Sequence, residues 1–517
     1  VPSSKNPPLL WRSAAALASA GLVVLALPKF GLWPLGLVAL VPLRLALAGL
    51  SFGPAFWLGG LYGLASGFGL LYWIANVISH YGGLSGLAAG LIVLGLVSLL
   101  SLWPALWSGL IASLSQRGRS AILFGAFFWV GLEWIRSWFL SGFPWEDLGY
   151  VLTPWPVLVQ MADLGGVGLA GLLVLATNLS LAEAILKPGR WRRLAVLALA
   201  WAAAWGYGAW QLDRTAELAR TAPRVAVRVV QGNIDQTRKW DQRFREESLD
   251  RYERLSQVPG PLKPELVVWP ETAAPFFFED DSPERGRLLG LPGRLGAWLL
   301  FGAPAYQNRP GGLTYYNRAW LLSPSGQSAG HMDKAHLVPF GEYVPLKRFL
   351  PFLETLVPQI GQYSPGPPGQ LLRASFGGIG VLVCYESIFP ELARAHVLAG
   401  AGLLANLTND SWFGRSSAPY QHLSMLVWRA VETRRAAARA AQTGVSALIG
   451  PDGRLIDSLD LGREGQLTGH LPLGSKMTIY VRGGYLLSPA CLILAGLAAW
   501  RPARRRRDDF GRRERTA

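Results

Sequence analysis

The chain has 517 residues, 51% of them hydrophobic and 16% charged, with a mean hydropathy of +0.26 and a formal net charge of +16. Such a balance is too apolar and too weakly charged for an ordinary water-soluble enzyme of this length. Two cysteines argue against a disulfide framework, and the positive charge collects in short loops and a tail, so membrane topology explains it without nucleic acid.

Residues 9–210 are almost continuously apolar. They divide into stretches long enough to cross a bilayer core of about 30 Å, which takes roughly 20 residues of helix. The expected spans are 11–27, 30–50, 55–78, 85–115, 120–140, 165–187 and 192–210, with an eighth at 485–500. Residues 1–210 thus form an N-terminal bundle and 211–223 a linker; 224–475 form a globular domain, 476–501 a last crossing and 502–517 a basic tail. Lys5, Arg12, Arg44, Arg117, Arg119, Lys187, Arg190, Arg192 and Arg193 fall on the side opposite the domain, as does the tail. Basic loops stay in the cytoplasm, so both termini are expected there and the domain outside. No small-residue cleavage site stands out near the N-terminus, and removing the first span would break the parity of the crossings. Glu133 and Arg136, three apart inside the fifth span, are expected to pair with each other at the membrane interface beside Trp134 and Trp138.

From residue 224 the pattern changes to short β-branched runs closed by turn residues: 224–233, 265–271, 298–304, 318–326, 379–386, 403–410 and 445–453. Helical stretches are expected around 240–257, 389–400 and 419–441. Alternating strands and helices over this length make an α/β domain. The Pro/Gly-rich segment 354–370 has no periodicity and reads as a long loop, a candidate lid.

Cys384 ends the run GIGVLVCYES, where a buried strand stops and the chain turns ahead of a helix opened by Pro390 and Glu391. A thiol at such a position suits a nucleophile, and the helix N-terminus is expected to favour its thiolate. Thiol acyl chemistry also needs a base and a donor for the tetrahedral oxyanion. Glu271 at the end of VVWPET and Lys334 in HMDKAHLVPFGEYVP are the candidates, with Glu342 placed to orient the lysine. His331 and His336 are five apart beside Asp333, but Lys334 between them disfavours a cation, and no phosphate-cradling glycine loop occurs. Phe276, Phe277 and Phe278, with Trp412 and Phe413, are expected to form an apolar wall or a lid dipping into lipid.

VVWPET, DKAHLVPFGEYVP and VLVCYESIFPE, in this order, resemble the Glu–Lys–Cys signature of the nitrilase, or carbon–nitrogen hydrolase, superfamily. QGNIDQTRKWD at 231–241 and NLTNDSWFG at 406–414 strengthen the match. Joined to the apolar block and a C-terminal span, nearly the whole chain resembles the apolipoprotein N-acyltransferases of the bacterial inner membrane. The resemblance implies a nitrilase-like αββα sandwich beside a membrane helical bundle of about eight spans. It implies an acyl chain passed from a phospholipid, such as phosphatidylethanolamine, through a thioester to the α-amine of a diacylglyceryl-cysteine apolipoprotein, with no cofactor. Carried over, Cys384 is the nucleophile, Glu271 the base, Lys334 the oxyanion donor and Glu342 the accessory carboxylate; Trp240, Tyr385 and Glu386 fall at substrate-binding positions. A membrane-tethered amidase using the same residues is the alternative enzyme reading, and a transporter or scaffold the non-enzymatic one.

Overall fold

The computed structural model describes residues 7–117, 121–187, 191–235, 244–310, 312–344 and 363–500. Four helices among the described residues are long and apolar enough to cross a membrane: Leu9–Ala26, Phe52–Leu71, Gly86–Gln116 and Ala162–Leu186. Phe52–Leu71 and Gly86–Gln116 approach closely because glycine recurs every four residues along one face of the former. A Cβ at Gly63 would come within 2.7 Å of Ser101, and one at Gly67 within 2.6 Å of Val97. Small residues at that spacing let helix backbones meet where no hydrophobic drive exists between them.

The count of eight regular spans is not reproduced. Residues 30–50 form a short turn of 3-10 helix, Trp33–Leu37, and a six-residue helix, Val41–Ala46, each with proline in its first turn. The break frees backbone groups, and the buried Asn178 takes them up. Its Oδ1 accepts from the Leu40 N–H at 2.7 Å while its Nδ2 donates to the Gly36 carbonyl at 2.8 Å. Irregular backbone at membrane depth persists only where protein satisfies it in this way. The linker expected at 211–223 is also corrected. Helix Trp191–Thr221 runs through it to within three residues of the first strand, since no proline interrupts QLDRTAELART.

The domain has two six-stranded sheets among the described residues. In chain order the strands are β1 (Arg224–Gln231), β2 (Leu266–Val268), β3 (Trp298–Arg309), β4 (Gly312–Leu322), β5 (Ser328–Asp333), β6 (Leu372–Ala374), β7 (Gly377–Val383), β8 (Ala401–Thr408), β9 (Ala437–Ala441), β10 (Ser446–Ile449), β11 (Leu455–Leu459) and β12 (Gly465–Pro472). One sheet has the order β12-β1-β2-β3-β4-β5 and the other β11-β10-β9-β8-β7-β6. Period-two alternation sets the layers. Val225, Val227 and Val229 face Val381, Val383, Leu403 and Ala405 in a core between the sheets. Val230 and Val267 turn to the other side, under helices Arg245–Ser256 and Pro283–Leu295. The outer face of the second sheet carries Leu382, Leu404 and Ala437 beneath helices Pro390–Leu398 and Ala418–Thr433. The architecture is αββα.

The expected helix over 419–441 ends at Thr433, where Arg434 takes a left-handed conformation, and Ala437–Ala441 becomes strand β9. Its alanines favour helix locally, but every residue of β9 is buried between β8 and β10. Packing between two covered faces overrides propensity there.

The core under the second sheet does not stop at the domain. It continues through Trp428, Met425 and Phe389 into Tyr150, Trp145, Trp73 and Leu27 of the bundle. We expect Asn178→Leu to lower the thermal unfolding midpoint in detergent. Two buried backbone groups would lose their partner, at about 1–3 kcal/mol each. An unchanged midpoint would show that the broken segment does not depend on Asn178.

Candidate active site

Cys384 follows β7 directly, with φ +52° in a left-handed conformation that costs a non-glycine residue about 1–3 kcal/mol. Three side chains hold its carbonyl there: His422 Nε2 at 2.9 Å, Ser387 Oγ at 3.2 Å and Asn406 Nδ2 at 3.4 Å. Behind them lies a buried polar network in which Asp410 binds Arg439 at 2.6 Å and His422 Nδ1 at 3.0 Å. Burial and the nearby Glu271 carboxylate push the Cys384 thiol well above its ordinary value, while Lys334 and a hydrogen bond from Thr408 pull it partly back. Burial thus works against the expected thiolate. Helix Pro390–Leu398 starts six residues further on, so its dipole does not offset burial.

The carboxylates and the cation come from the ends of the first sheet. Glu271 lies three residues beyond β2, and Lys334 immediately follows β5. Lys334 is 1% exposed, and its Nζ stands 2.9 Å from Glu342 Oε1 and 3.5 Å from Glu271 Oε1. Burial works against the ammonium, but Glu342 and Glu271 prevail and hold its pKa above that of a free lysine. The second oxygen of each carboxylate also has a donor. Glu271 Oε2 accepts from the Asn409 N–H at 3.0 Å and Glu342 Oε2 from the Val338 N–H at 2.8 Å. Asn317 on β4, which the sequence reading did not single out, donates to Glu271 Oε1 at 2.7 Å and to Glu342 Oε1 at 2.8 Å. The cluster holds a neutral nucleophile, a carboxylate beside it and a fixed cation, which is a complete kit for acyl transfer.

Glu386 is 1% exposed and faces the protein, not the open site. Its oxygens accept from the Ala335, His336 and Val383 N–H groups at 2.6, 3.0 and 2.6 Å. Burial still raises its pKa to about 7, although these donors oppose the shift. The carboxyl therefore staples the backbone after Lys334 to the backbone before Cys384. Tyr385 donates its hydroxyl to the Gly142 carbonyl at 3.2 Å and stacks near Phe143, with ring centroids 6.4 Å apart, so it joins the site to the bundle. Trp240 lies outside the described residues, as does 354–362 of the expected lid. The described end of that segment is tethered: Tyr363 N–H donates to the Glu342 carbonyl at 3.0 Å and Gly366 N–H to that of Lys334 at 2.9 Å. His331 packs on Trp320 and His336 on Phe389, with ring centroids 4.9 and 3.9 Å apart.

Two aromatic expectations resolve differently. Phe276 and Phe278 are buried under the outer helices of the first sheet, and Phe277 meets Tyr306 edge to face. Phe276 and Phe278 are therefore part of the domain's core, not a surface wall. Trp412 and Phe413 do meet the bundle, at Tyr81 and Trp73, with centroids 4.8 and 4.7 Å apart. Glu133 and Arg136 are not each other's partners. Arg136 pairs with Asp147, and Glu133 accepts from Trp129 Nε1 and the Leu148 N–H at 2.8 Å each, so both anchor the loop that carries Phe143 and Trp145. Next to those rings the bundle encloses a cavity of about 100 Å³, largely apolar, with Leu27, Leu70 and Leu100 in its wall and Glu146 at its edge.

The sequence comparisons agree with this construction. Residues 226–476 match the carbon-nitrogen hydrolase family, and residues 19–180 match the apolipoprotein N-acyltransferase N-terminal domain. An apolipoprotein N-acyltransferase of Geobacter metallireducens is 41% identical over 94% of this chain and 94% of its own length. The chain belongs to the apolipoprotein N-acyltransferase family. A second such relative, from Allorhizobium ampelinum, is 34% identical over 88% of this chain and 89% of its own length. Among solved structures, a nitrilase-superfamily amidase of Nesterenkonia aligns at 23% identity and a TM-score of 0.37, covering 51% of this chain and 95% of that one. The protein is accordingly an N-acyltransferase of the membrane, acting in lipoprotein biosynthesis.

Gly302 on β3 leaves the space in which the Glu271 turn sits, since a Cβ there would stand 2.6 Å from the Thr272 nitrogen and 2.8 Å from the Glu271 Cα. We expect Gly302→Ala to lower acyl transfer roughly a hundredfold through displacement of the carboxylate, with the circular dichroism spectrum unchanged. Activity within threefold of the parent, on the order of 0.7 kcal/mol, would show that Glu271 tolerates the shift.

Proposed function

We propose that the chain N-acylates the amino-terminal S-diacylglyceryl cysteine of bacterial apolipoproteins with an acyl chain from a phospholipid, by a two-step mechanism through a thioester on Cys384. The observation that carries this reading is the burial of Lys334 between Glu271 and Glu342 beside a neutral thiol, in a site whose Tyr385 is bonded to a loop of the membrane bundle. In the first step the Cys384 sulfur adds to the ester carbonyl carbon of the donor, and Glu271 takes the thiol proton. The oxyanion is held by the Lys334 ammonium, whose charge is present before the reaction starts. The carbon–oxygen bond then breaks, and Glu271 returns the proton to the leaving lysophospholipid oxygen. In the second step the acceptor amine attacks the thioester, Glu271 accepts the amine proton, and that proton goes back to the departing sulfur. A thioester is reactive enough to form the amide without a nucleotide.

Phosphatidylethanolamine is the proposed donor. Drawing an acyl chain into water costs about 0.8 kcal/mol per methylene, so a site packed on membrane helices favours lipid-anchored substrates over soluble ones. We place the protein in the inner membrane with the domain in the periplasm and both termini in the cytoplasm. Arg117, Lys187 and the basic residues after Trp500 support that orientation.

Incubation of the purified protein with phosphatidylethanolamine alone is expected to add one fatty-acyl mass to Cys384, released by hydroxylamine. Cys384→Ala should abolish the adduct and Glu271→Gln should slow its formation by roughly a thousandfold. An adduct on the Cys384→Ala protein, or hydrolysis of soluble amides with no lipid adduct, would overturn the scheme. For orientation, a reporter fused after Thr221 should signal the periplasm and one after Trp500 the cytoplasm; the opposite pattern would reverse the topology, and two signals from one side would overturn the span count.

A further inference from the structure

We propose that Asn317 is a positioning residue for catalysis: its amide, shared between Glu271 and Glu342, holds Glu271 in place as the base in the resting site, ahead of proton transfer from Cys384. The inference rests on the reading of Glu271 as the base. Two carboxylates share one ammonium, an arrangement that pushes one carboxylate of a pair toward its protonated form unless other donors intervene. Asn317 is 5% exposed, and both hydrogens of its Nδ2 are spent on the facing oxygens, at 2.7 and 2.8 Å. Its Oδ1 has no hydrogen-bond partner among the described residues. A buried acceptor left unpaired is a cost, so the amide orientation is set by the two carboxylates: the flipped amide would turn Oδ1 against both of them. The backbone fixes the side chain in turn, because the Asn317 carbonyl accepts from the Lys334 N–H at 2.8 Å.

The need for this second donor is set in the resting site. At rest Lys334 leans on Glu342 and lies further from Glu271. Glu271, still to take the thiol proton, therefore relies on the neutral donor of Asn317; once the oxyanion forms and Glu271 carries that proton, the ammonium divides its donors between Glu342 and the oxyanion. Among the described residues, the charged and titratable groups near Glu271 include Lys334 at the end of β5, Glu342 in the following turn, Cys384 after β7 and Tyr363 in the tethered segment, with Asp410 beyond β8 on the far side of Cys384. None of them replaces a neutral donor to both carboxylates.

Hydrogen bonds to the charged form lower a carboxylate's proton affinity. Losing them moves the acid limb of the pH–rate profile for thioester formation to higher pH. The test uses the full-length protein with phosphatidylethanolamine in detergent, following the adduct on Cys384 by mass between pH 5 and 9. For Asn317→Ala the limb is expected to rise by about one unit, a tenfold loss on the acid side that recovers toward alkaline pH. Asn317→Asp, nearly isosteric with the parent, should rise further because it adds a third carboxylate. Asn317→Ser keeps a hydroxyl donor and should lie between Asn317→Ala and the parent. A rate loss equal at every pH, or limbs within 0.3 unit (on the order of a twofold change in proton affinity) of the parent, would overturn the proposal and leave Asn317 a packing residue. Glu271→Gln, measured alongside, separates the two failures. If that variant forms the adduct at the parental rate, the base assignment itself falls; if it is inactive while the Asn317 limbs stay fixed, only the role of Asn317 falls.

Discussion

The site depends on one buried ammonium. An isolated lysine cation at 1% exposure carries a desolvation cost of several kcal/mol, and two carboxylates offset it only if their own remaining lone pairs are filled. Filling them takes groups from separate parts of the chain: the amide of Asn317 on β4, the Asn409 N–H just beyond β8 and the Val338 N–H in the turn after β5. Glu271 comes from the end of β2, Lys334 from the end of β5 and Cys384 from the end of β7. The Lys334 cluster is therefore where the two sheets close on each other, and it forms only once both are assembled.

The second constraint is the continuity of core between domain and bundle. Helix Ala418–Thr433 has one face against the second sheet and the other against the loops between membrane helices. Trp145 donates to Gln421 at 2.9 Å and Trp428 donates to Thr153 at 2.9 Å, while Arg434 binds Asp163 at 2.7 Å. His422, which supports the Cys384 carbonyl, stacks near Trp145 with centroids 6.0 Å apart. The backbone of the cysteine is thus one side chain away from a loop that Glu133 and Arg136 anchor in the bundle. A change in how that loop sits reaches Cys384 through a chain of direct contacts.

Much of this was legible in the residues, and the parts that were not share a physical reason. Cys384, Glu271, Lys334 and Glu342 stood out because strand ends and turns announce themselves, through β-branched runs closed by proline, glycine or a polar residue. Asn317 lies inside a strand and looks like any outward polar position; only the register of β4 against β5 brings it between two carboxylates. The alanine-rich β9 is missed because its stability comes from burial between neighbours and leaves no mark in local propensity, and β5 because it is a short, polar, largely exposed edge strand held by its pairing with β4. Residues 30–50 read as one span because hydropathy records composition, whereas the break is held by Asn178 from a helix more than a hundred residues away. The phenylalanine run misled for the opposite reason. Apolar side chains mark burial without saying which face buries them, and here the face was the outer layer of the first sheet.

Burial around Cys384 sets the order of events. The same low-dielectric surroundings that disfavour a resting thiolate would disfavour a tetrahedral oxyanion, and both anions appear at one place in succession. In the proposed mechanism Lys334 is the fixed charge that serves the oxyanion, and its own proton is held by Glu342 and Glu271, so it would offer electrostatic attraction without giving up that proton. The proton that moves must then travel between sulfur and carboxylate. Separating the two tasks in this way means that negative charge on sulfur develops only as the carbonyl carbon arrives to share it. A thiol kept neutral until that moment is a poor nucleophile toward chance electrophiles, and under the proposed scheme it becomes a good one only once an ester stands against it.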